Sequence, residues 1–196
     1  MEENKLNLNN IYESIWDELL SGAFNRKHPF HLCFFSSLSA DSLAPETRIV
    51  ILREAIKKNL YLRSNCDLRS SKTKEIEKNP ETMLMFYDSE KKVQIRIRAL
   101  SKIIRDKKIV EPIWNDSQEI SRQCYYTPFS PSSVLKEPFS NSLLDLKGKE
   151  LGLSVFGLIV STVVQIDYLK LKHDGHVRCE FKCDNKRLVK SNWIAP

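Results

Sequence analysis

Three segments hold the residues with the most chemistry to offer: Arg48-Ile49-Val50-Ile51-Leu52-Arg53, Asp67-Leu68-Arg69-Ser70-Ser71-Lys72 and Gln94-Ile95-Arg96-Ile97-Arg98. They interleave apolar strand residues with cations, and none contains a glycine-rich loop. An arginine fork beside a lysine point charge matches both the geometry and the charge of a phosphate group. Ser70 adds a hydroxyl at a helix start, where free backbone N–H groups favour an anion. Arg69 and Lys72 oppose the helix dipole at that start, which argues for a negative ligand nearby. The chemistry implied is capture of an anion, such as a phosphorylated cofactor, against a β-rich wall. Taken singly, Arg48 and Arg53 also fit the exposed ends of a strand, and Gln94 fits a solvent-facing strand position. His176 and Arg178, alternating with Val177, fit an exposed strand face equally well.

The elements that must position these groups follow from hydrophobic periodicity. Ile11, Ile15, Trp16, Leu19, Leu20 and Phe24 recur at helical spacing, predicting a helix over about 9–24 with Asn9 or Asn10 as its cap. Strands are predicted over 30–38, 47–53 and 59–64, then a helix capped by Ser70 or Ser71 and stopped by Asn79-Pro80. A buried strand over 82–87 and a polar turn lead into a long strand over 93–104. Its alternation puts Val93, Ile95, Ile97 and Ala99 on one face and Gln94, Arg96 and Arg98 on the other. Helical character returns over 111–124 with Pro112 in the first turn. Residues 125–149, rich in Ser and Pro, read as an irregular loop without a packed element. Strands over 155–171, 177–183 and 188–194 complete the chain, the first two separated by the turn His173-Asp174-Gly175-His176. Trp16, Trp114, Phe34 and Phe35 are assigned to the core. The sum is a mainly β (α+β) single domain spanning 1–196: a closed or partly closed antiparallel barrel with helices outside.

Composition excludes several other classes. With 196 residues the chain buries a core without staples. No apolar run approaches the ~18 residues of a membrane helix, and the start Met1-Glu2-Glu3-Asn4 is unlike a secretory signal; a cytoplasmic protein without membrane partners is expected. The five cysteines contain no C-x-x-C pair, and the pairs His28/His31 and His173/His176 lack neighbouring ligands, so neither a disulfide framework nor a metal site is expected. The net charge of +6 invites a nucleic-acid partner. The cations are dispersed among acids, as in Lys72-Thr73-Lys74-Glu75-Ile76-Glu77-Lys78, and no nucleic-acid partner is expected.

The R-x-V-x-L-[KR] strand at Arg48 to Arg53, the D-x-R-S-x-K turn at Asp67 to Lys72 and the E-I-x-x-N-P helix end at Glu75 to Pro80 occur in that order. They are followed by Q-x-R at Gln94 to Arg96, H-x-R at His176 to Arg178 and a terminal W-x-A-P, Trp193 to Pro196. Together they resemble the pyridoxamine 5'-phosphate oxidase-like, FMN-binding split-barrel family over nearly the whole chain. The resemblance implies a six-stranded antiparallel split β-barrel with peripheral helices that forms a homodimer, with FMN in each interface cleft. It implies that Arg48, Ile49, Val50, Ile51 and Arg53 lie along the flavin, with Asn65 and Cys66 flanking it. Arg69, Ser70 and Lys72 would grip the phosphate, and Gln94 would face the ring. Arg178 would come from the partner subunit with groups of the 125–133 loop, and Arg53 and His176 would meet a small-molecule substrate. The implied function is an FMN-dependent oxidoreductase passing a hydride or electron pair between that substrate and the flavin. Genuine pyridoxamine 5'-phosphate oxidase and a non-catalytic flavin-binding or sensor protein are the alternatives. Arg53 stands where members with the former activity carry lysine, and Cys66 where relatives often carry threonine.

Overall fold

The computed structural model describes residues 7–139 and 146–196. The first helix, α1 (Leu8–Phe24), buries Ile11, Ile15, Trp16 and Leu19 of the predicted stripe and also Tyr12, whereas Leu20 and Phe24 of that stripe face outward, 47% and 81% exposed. Its cap is Asn7 rather than Asn9 or Asn10: the Asn7 side chain accepts from the Asn9 N–H at 2.8 Å, satisfying one of the free donors of the first turn. Gly22 lets α1 rest on the chain after it, because a Cβ there would lie 2.7 Å from the Phe30 carbonyl.

Among the described residues nine strands follow, interrupted by helices: β1 (Leu32–Leu38), β2 (Pro45–Ile51), β3 (Glu54–Ile56), β4 (Tyr61–Asp67), α2 (Ser71–Lys78), β5 (Glu81–Asp88) and β6 (Val93–Ile104). Then come α3 (Lys107–Asp116), α4 (Glu119–Arg122), α5 (Leu146–Val155), β7 (Phe156–Lys170), β8 (Val177–Asp184) and β9 (Arg187–Trp193). The sheet runs β2-β1-β5-β6-β7-β4-β3, with β8 and β9 attached to β7, and every pairing is antiparallel. β2 and β3 are two halves of one segment. The Leu52 N–H still reaches back to the β1 side at His31 O (3.0 Å), whereas the Arg53 N–H crosses to Arg63 O of β4 (2.8 Å), so the sheet curls back on itself there. Counting that segment once gives the six staves expected; the β8–β9 hairpin is additional.

The split lies in β7. Its first half, from Phe156 to Thr162, pairs with β4, and its second half, from Gln165 to Lys170, pairs with β8, while β6 runs along its other edge. A bulge between Arg98 and Ala99 takes up the change of direction. The predicted alternation of β6 holds, with Val93, Ile95, Ile97 and Ala99 inside. These residues join Leu19, Phe30, Phe35, Leu62, Phe86 and Phe181 in the barrel core, where each fully buried large side chain contributes about 1.5–3 kcal/mol. Phe34, assigned to the core by sequence, is 39% exposed on the outer wall.

Two predictions outside the barrel need correction. The helical run starts at Lys107, capped by Asp106 onto the Lys108 N–H at 3.0 Å, so Pro112 lies inside α3 rather than in its first turn. The helix stops at Ser117, short of Cys124, and α4 is a separate turn. Residues 125–149 are not all loop, since α5 begins at Leu146; residues 140–145 lie outside the described residues. α5 forms because Gly152 admits the rings of Trp114 and Tyr126 to within 2.8 and 2.7 Å of where a Cβ would stand. Val110, Trp114, Tyr126, Phe156 and Leu158 form a second core beside the barrel.

All five cysteines are free, with only Cys124 exposed. Among the described residues no helix is long and apolar enough to cross a membrane.

Candidate functional site

A cavity of about 440 Å³ opens on the barrel wall between β2, the end of β4 and the start of α2. Its size falls within the ~300–1,000 Å³ of small-molecule sites. β2 supplies Ile49, Val50 and Ile51, β4 supplies Asn65, Cys66 and Asp67, and α2 supplies Lys72. Ile49 is 55% exposed, an apolar side chain laid open on a strand, as suits contact with a flat hydrophobic ligand. Cys66 is buried, and burial pushes its thiol up to about 12, so it remains protonated at neutral pH.

The cations gathered by the sequence motifs separate here into distinct roles. Lys72 lines the cavity, and its Nζ donates to Ser70 Oγ at 3.0 Å without a carboxylate partner among the described residues. Burial, with the nearby Arg48 charge, pulls its ammonium below the ordinary lysine range, although Cys66, Asp67 and Glu75 act in the opposite sense. Arg48 stands behind it and is held by Glu75. Its Nη2 lies 2.9 Å from Glu75 Oε2, and Nη1 donates to Glu46 O at 3.0 Å and to Ser37 Oγ. Ser37 in turn donates to Glu75 Oε2 at 2.6 Å. Burial works to raise the Glu75 carboxyl, but hydrogen bonds from Ser37 and Ser71 and the Arg48 charge outweigh it and hold it below the usual range.

Arg69, expected to grip a phosphate, is engaged within the protein. Its Nε and Nη2 lie 3.0 and 2.6 Å from the two Asp67 carboxylate oxygens, and Nη1 donates to Thr127 O at 2.9 Å. It therefore closes the cavity instead of facing into it. Ser70 is likewise committed, donating to Asp67 O at 2.6 Å, and makes no side-chain capping bond to α2.

The Arg69 clamp fixes the segment after Gln123 across the mouth. Cys124, Tyr125, Thr127, Phe129 and residues 130–133 line the cavity of their own chain, whereas the resemblance assigned the 125–133 loop to the partner subunit. Tyr125 is anchored by Phe156 at 5.0 Å and Trp114 at 5.9 Å between ring centroids, and burial raises its hydroxyl above the ordinary tyrosine value. Sequence reasoning assigned no role to Cys124 and named Thr127 only as part of the 125–133 loop; the polar Ser/Pro composition marked the region as a loop without showing where it folds.

Arg53 lies across the wall. It lines a second cavity of about 330 Å³ together with Arg26, His31, Arg63 and Asp116. Asn65 borders both cavities, its Oδ1 held at 3.0 Å by Arg63 Nη1. Gln94, Arg178 and His176 lie elsewhere in the chain. Gln94 and Arg178 flank Leu169 from the two sides in the sheet register, and Arg178 forms a two-point pair with Asp167 at 3.1 and 2.7 Å. That pair raises the Arg178 guanidinium above its ordinary value. His176 Nδ1 accepts from the Lys172 N–H at 3.2 Å. Within one chain the fold thus gathers Ile49, Val50, Ile51, Asn65, Cys66 and Lys72, sets Arg48, Arg69 and Ser70 behind them, and leaves Gln94, His176 and Arg178 apart.

Residues 13–105, which include β2, β4 and α2, match the family model described as pyridoxamine 5'-phosphate oxidase, FMN-binding domain. No curated protein matches the sequence. Among solved structures, the chain is similar to a pyridoxamine 5'-phosphate oxidase-related, FMN-binding protein from Nostoc punctiforme. That pair shows 17% identity and a TM-score of 0.73, covering 97% of this chain and 100% of that one. PhzG from Burkholderia lata, solved with tetrahydrophenazine-1-carboxylic acid, is similar at 12% identity and a TM-score of 0.70, covering 98% and 95%. A Clostridium acetobutylicum protein related to general stress protein 26 of the pyridoxinephosphate oxidase family follows at 14% identity and a TM-score of 0.57, covering 93% and 100%. These likenesses establish the split-barrel fold for the chain, and residues 13–105 carry the sequence pattern of the pyridoxamine 5'-phosphate oxidase FMN-binding domain that the motifs above resemble.

Proposed function

We propose that the 440 Å³ cavity holds FMN and that the protein is an FMN-dependent oxidoreductase acting on a small molecule. The observation that carries this reading is Lys72, a partly buried ammonium without a carboxylate partner among the described residues, at the end of an apolar wall formed by Ile49, Val50 and Ile51. A partly buried cation without a counter-charge is unfavourable, and a phosphate supplies the missing charge. FMN, when bound, supplies the electron-accepting ring. Lys72 would meet the phosphate, with Arg48 behind it adding to the positive field. The open β2 face would carry the flat ring, and Asn65 and the Cys66 thiol would flank it. Tyr125 and the segment after it limit access of water from outside.

A homodimer accompanies this reading. Leu32, Phe34 and Ile49 are 47, 39 and 55% exposed on one outward patch of β1 and β2, an apolar surface of the kind that marks an interface. In this reading Arg178, which lies away from the cavity of its own chain and pairs there with Asp167, is supplied to the flavin by the partner subunit.

The test is FMN uptake by purified protein, followed by flavin absorbance and fluorescence quenching. We expect saturable binding of one FMN per chain with a raised melting temperature, and reduction of the bound flavin by a nicotinamide donor. Protein that takes up no flavin and gains no thermal stability would remove the proposal.

A further inference from the structure

Helix α3 carries two apolar stripes. Val110 and Trp114 enter the second core. Ile109 and Ile113, four residues apart and therefore on one face, instead border a third cavity of about 330 Å³ on the outside of the barrel. Its floor is the outward side of β4, β7 and β6, which lie next to one another in the sheet. Val160 of β7 stands at the centre, with Arg63 of β4 opposite it on one side and Lys102 of β6 on the other. Ile109 is left 49% exposed, although the cavity beside it has room to cover it. This cavity shares no lining residue with the flavin cavity.

The charges around it are positive and uncompensated. Lys102 and Lys186 line the cavity and form no hydrogen bond or ion pair with a described residue. Glu54, the one carboxylate among the described lining residues, is already engaged: the Tyr61 hydroxyl donates to it, and Arg63 Nε lies 2.9 Å from its Oε2. Burial works to raise the Glu54 carboxyl, but those two hydrogen bonds and the Arg63 charge outweigh it and hold it below the usual range. Lys186 stands where local preference would put another residue. It is the second of the two residues joining β8 to β9, and Asn185 and Lys186 have φ of 46° and 59°. Two-residue turns with positive φ at both positions favour Asn-Gly, because a Cβ crowds the backbone there. Here a lysine takes the glycine position and lines the cavity.

We propose that this third cavity binds a small amphipathic carboxylate, independently of the flavin, with Ile109, Ile113 and Val160 covering its apolar body and Lys102 and Lys186 meeting its charged head. Burial of the apolar body supplies most of the affinity. The two exposed ammonium groups add little energy each, but they select the sign of the head group.

The experiment titrates octanoate into the purified protein by calorimetry at fixed ionic strength, with acetate and octylammonium as comparison probes. We expect one saturable octanoate site per chain. Each buried methylene contributes roughly a fourfold gain in affinity, so acetate, which lacks the chain, should bind roughly a hundredfold more weakly. Octylammonium, with the same chain and the opposite charge, should show no saturable binding. Ile109→Glu places a carboxylate in the first turn of α3, where it suits the helix dipole; the fold is kept, and octanoate binding weakens roughly tenfold. Lys186→Gly relieves the turn, so the melting temperature holds or rises while octanoate binding falls roughly fivefold, the loss of one exposed ion pair. Lys74→Gln, exposed on α2, leaves binding unchanged, and so does saturating FMN. Absence of saturable octanoate binding, equal binding of octylammonium, or wild-type affinity in both Ile109→Glu and Lys186→Gly would overturn the site. Displacement of octanoate by FMN would overturn it as well, since the probe would then sit in the flavin cavity.

Discussion

Arg69 and Lys72 belong to the same six-residue motif yet do opposite things. Arg69 has its counter-charge built in, two oxygens of Asp67, and spends its third nitrogen on the Thr127 carbonyl. Lys72, three residues on, has a hydroxyl for a neighbour and an open cavity ahead of it. The same division separates Arg48, held by Glu75, from Arg53, whose side chain has no hydrogen-bond or ion-pair partner among the described residues. Cations with internal partners build the walls of the two cavities. In the function proposed above, Lys72, which has no such partner among the described residues, meets the negatively charged group of the ligand.

The comparison is broken most directly at Arg69. Asp67 is 9% exposed at its side chain, so Arg69→Met leaves a nearly buried carboxylate without its partner, a change that costs about 3–5 kcal/mol. Urea unfolding should show that loss, and the double variant Asp67→Asn/Arg69→Met should recover a large part of it, because the stranded charge is gone. Equal stability of Arg69→Met and wild type would show that Arg69 is not a wall residue.

Lys72→Met should behave in the reverse way. Removing a partly buried, unpaired ammonium leaves the apoprotein at least as stable, while FMN affinity falls roughly 10- to 100-fold, the loss of one charge-assisted contact of about 1.5–3 kcal/mol. Fluorescence titration and urea unfolding on the same sample separate the two effects. A variant that loses stability but keeps FMN affinity would reverse the assignment.

How much of this division could be read in advance depends on the distance over which each partner is recruited. The alternation of β6 and the apolar stripe of α1 are local patterns, and both elements form where they are predicted. Ile49, Val50, Ile51, Asn65, Cys66 and Lys72 come together because β2 and β4 are neighbours across the bend at Leu52-Arg53. The fate of Arg69 was not legible, since Asp67 two residues away is as good a partner as a phosphate and the deciding contact, Thr127, lies far along the chain. The second cavity was equally hidden. Arg26 and Arg63 carry no motif, and only closure of the barrel sets them beside Arg53. α5 escaped because residues up to 149 read as part of the Ser- and Pro-rich loop and the next strand was predicted from 155, whereas Gly152, packed against Trp114 and Tyr126, belongs to a helix.

A smaller effect is expected from pH. The Lys72 amine titrates below the ordinary lysine value in the folded apoprotein, chiefly through burial. Between that lowered value and the unfolded one near 10.4, the unfolded chain binds more protons, so stability rises with pH across this window. Lys72→Met should flatten that part of the profile, and so should saturating FMN, whose phosphate stabilises the charged amine. Urea midpoints measured from neutral pH to about pH 10 test this, and an unchanged slope in Lys72→Met would show that Lys72 is not the group responsible.

The smallest expected effect concerns the two thiols of the flavin cavity. Cys66 and Cys124 both line it, but Cys66 is buried and pushed up to about 12 by that burial, whereas Cys124 is the exposed one of the five. Thiolate is the reactive form and access governs the rest, so a maleimide should label Cys124 first in native protein and leave Cys66 untouched until unfolding. If the cavity holds FMN, labelling of Cys124 should slow several-fold when FMN is present, since the ligand and the reagent compete for the same opening. Inorganic phosphate at matched ionic strength lacks the ring and should protect much less. Peptide mapping by mass spectrometry identifies the labelled residue. Equal labelling rates with and without FMN would place the flavin elsewhere, even if it binds.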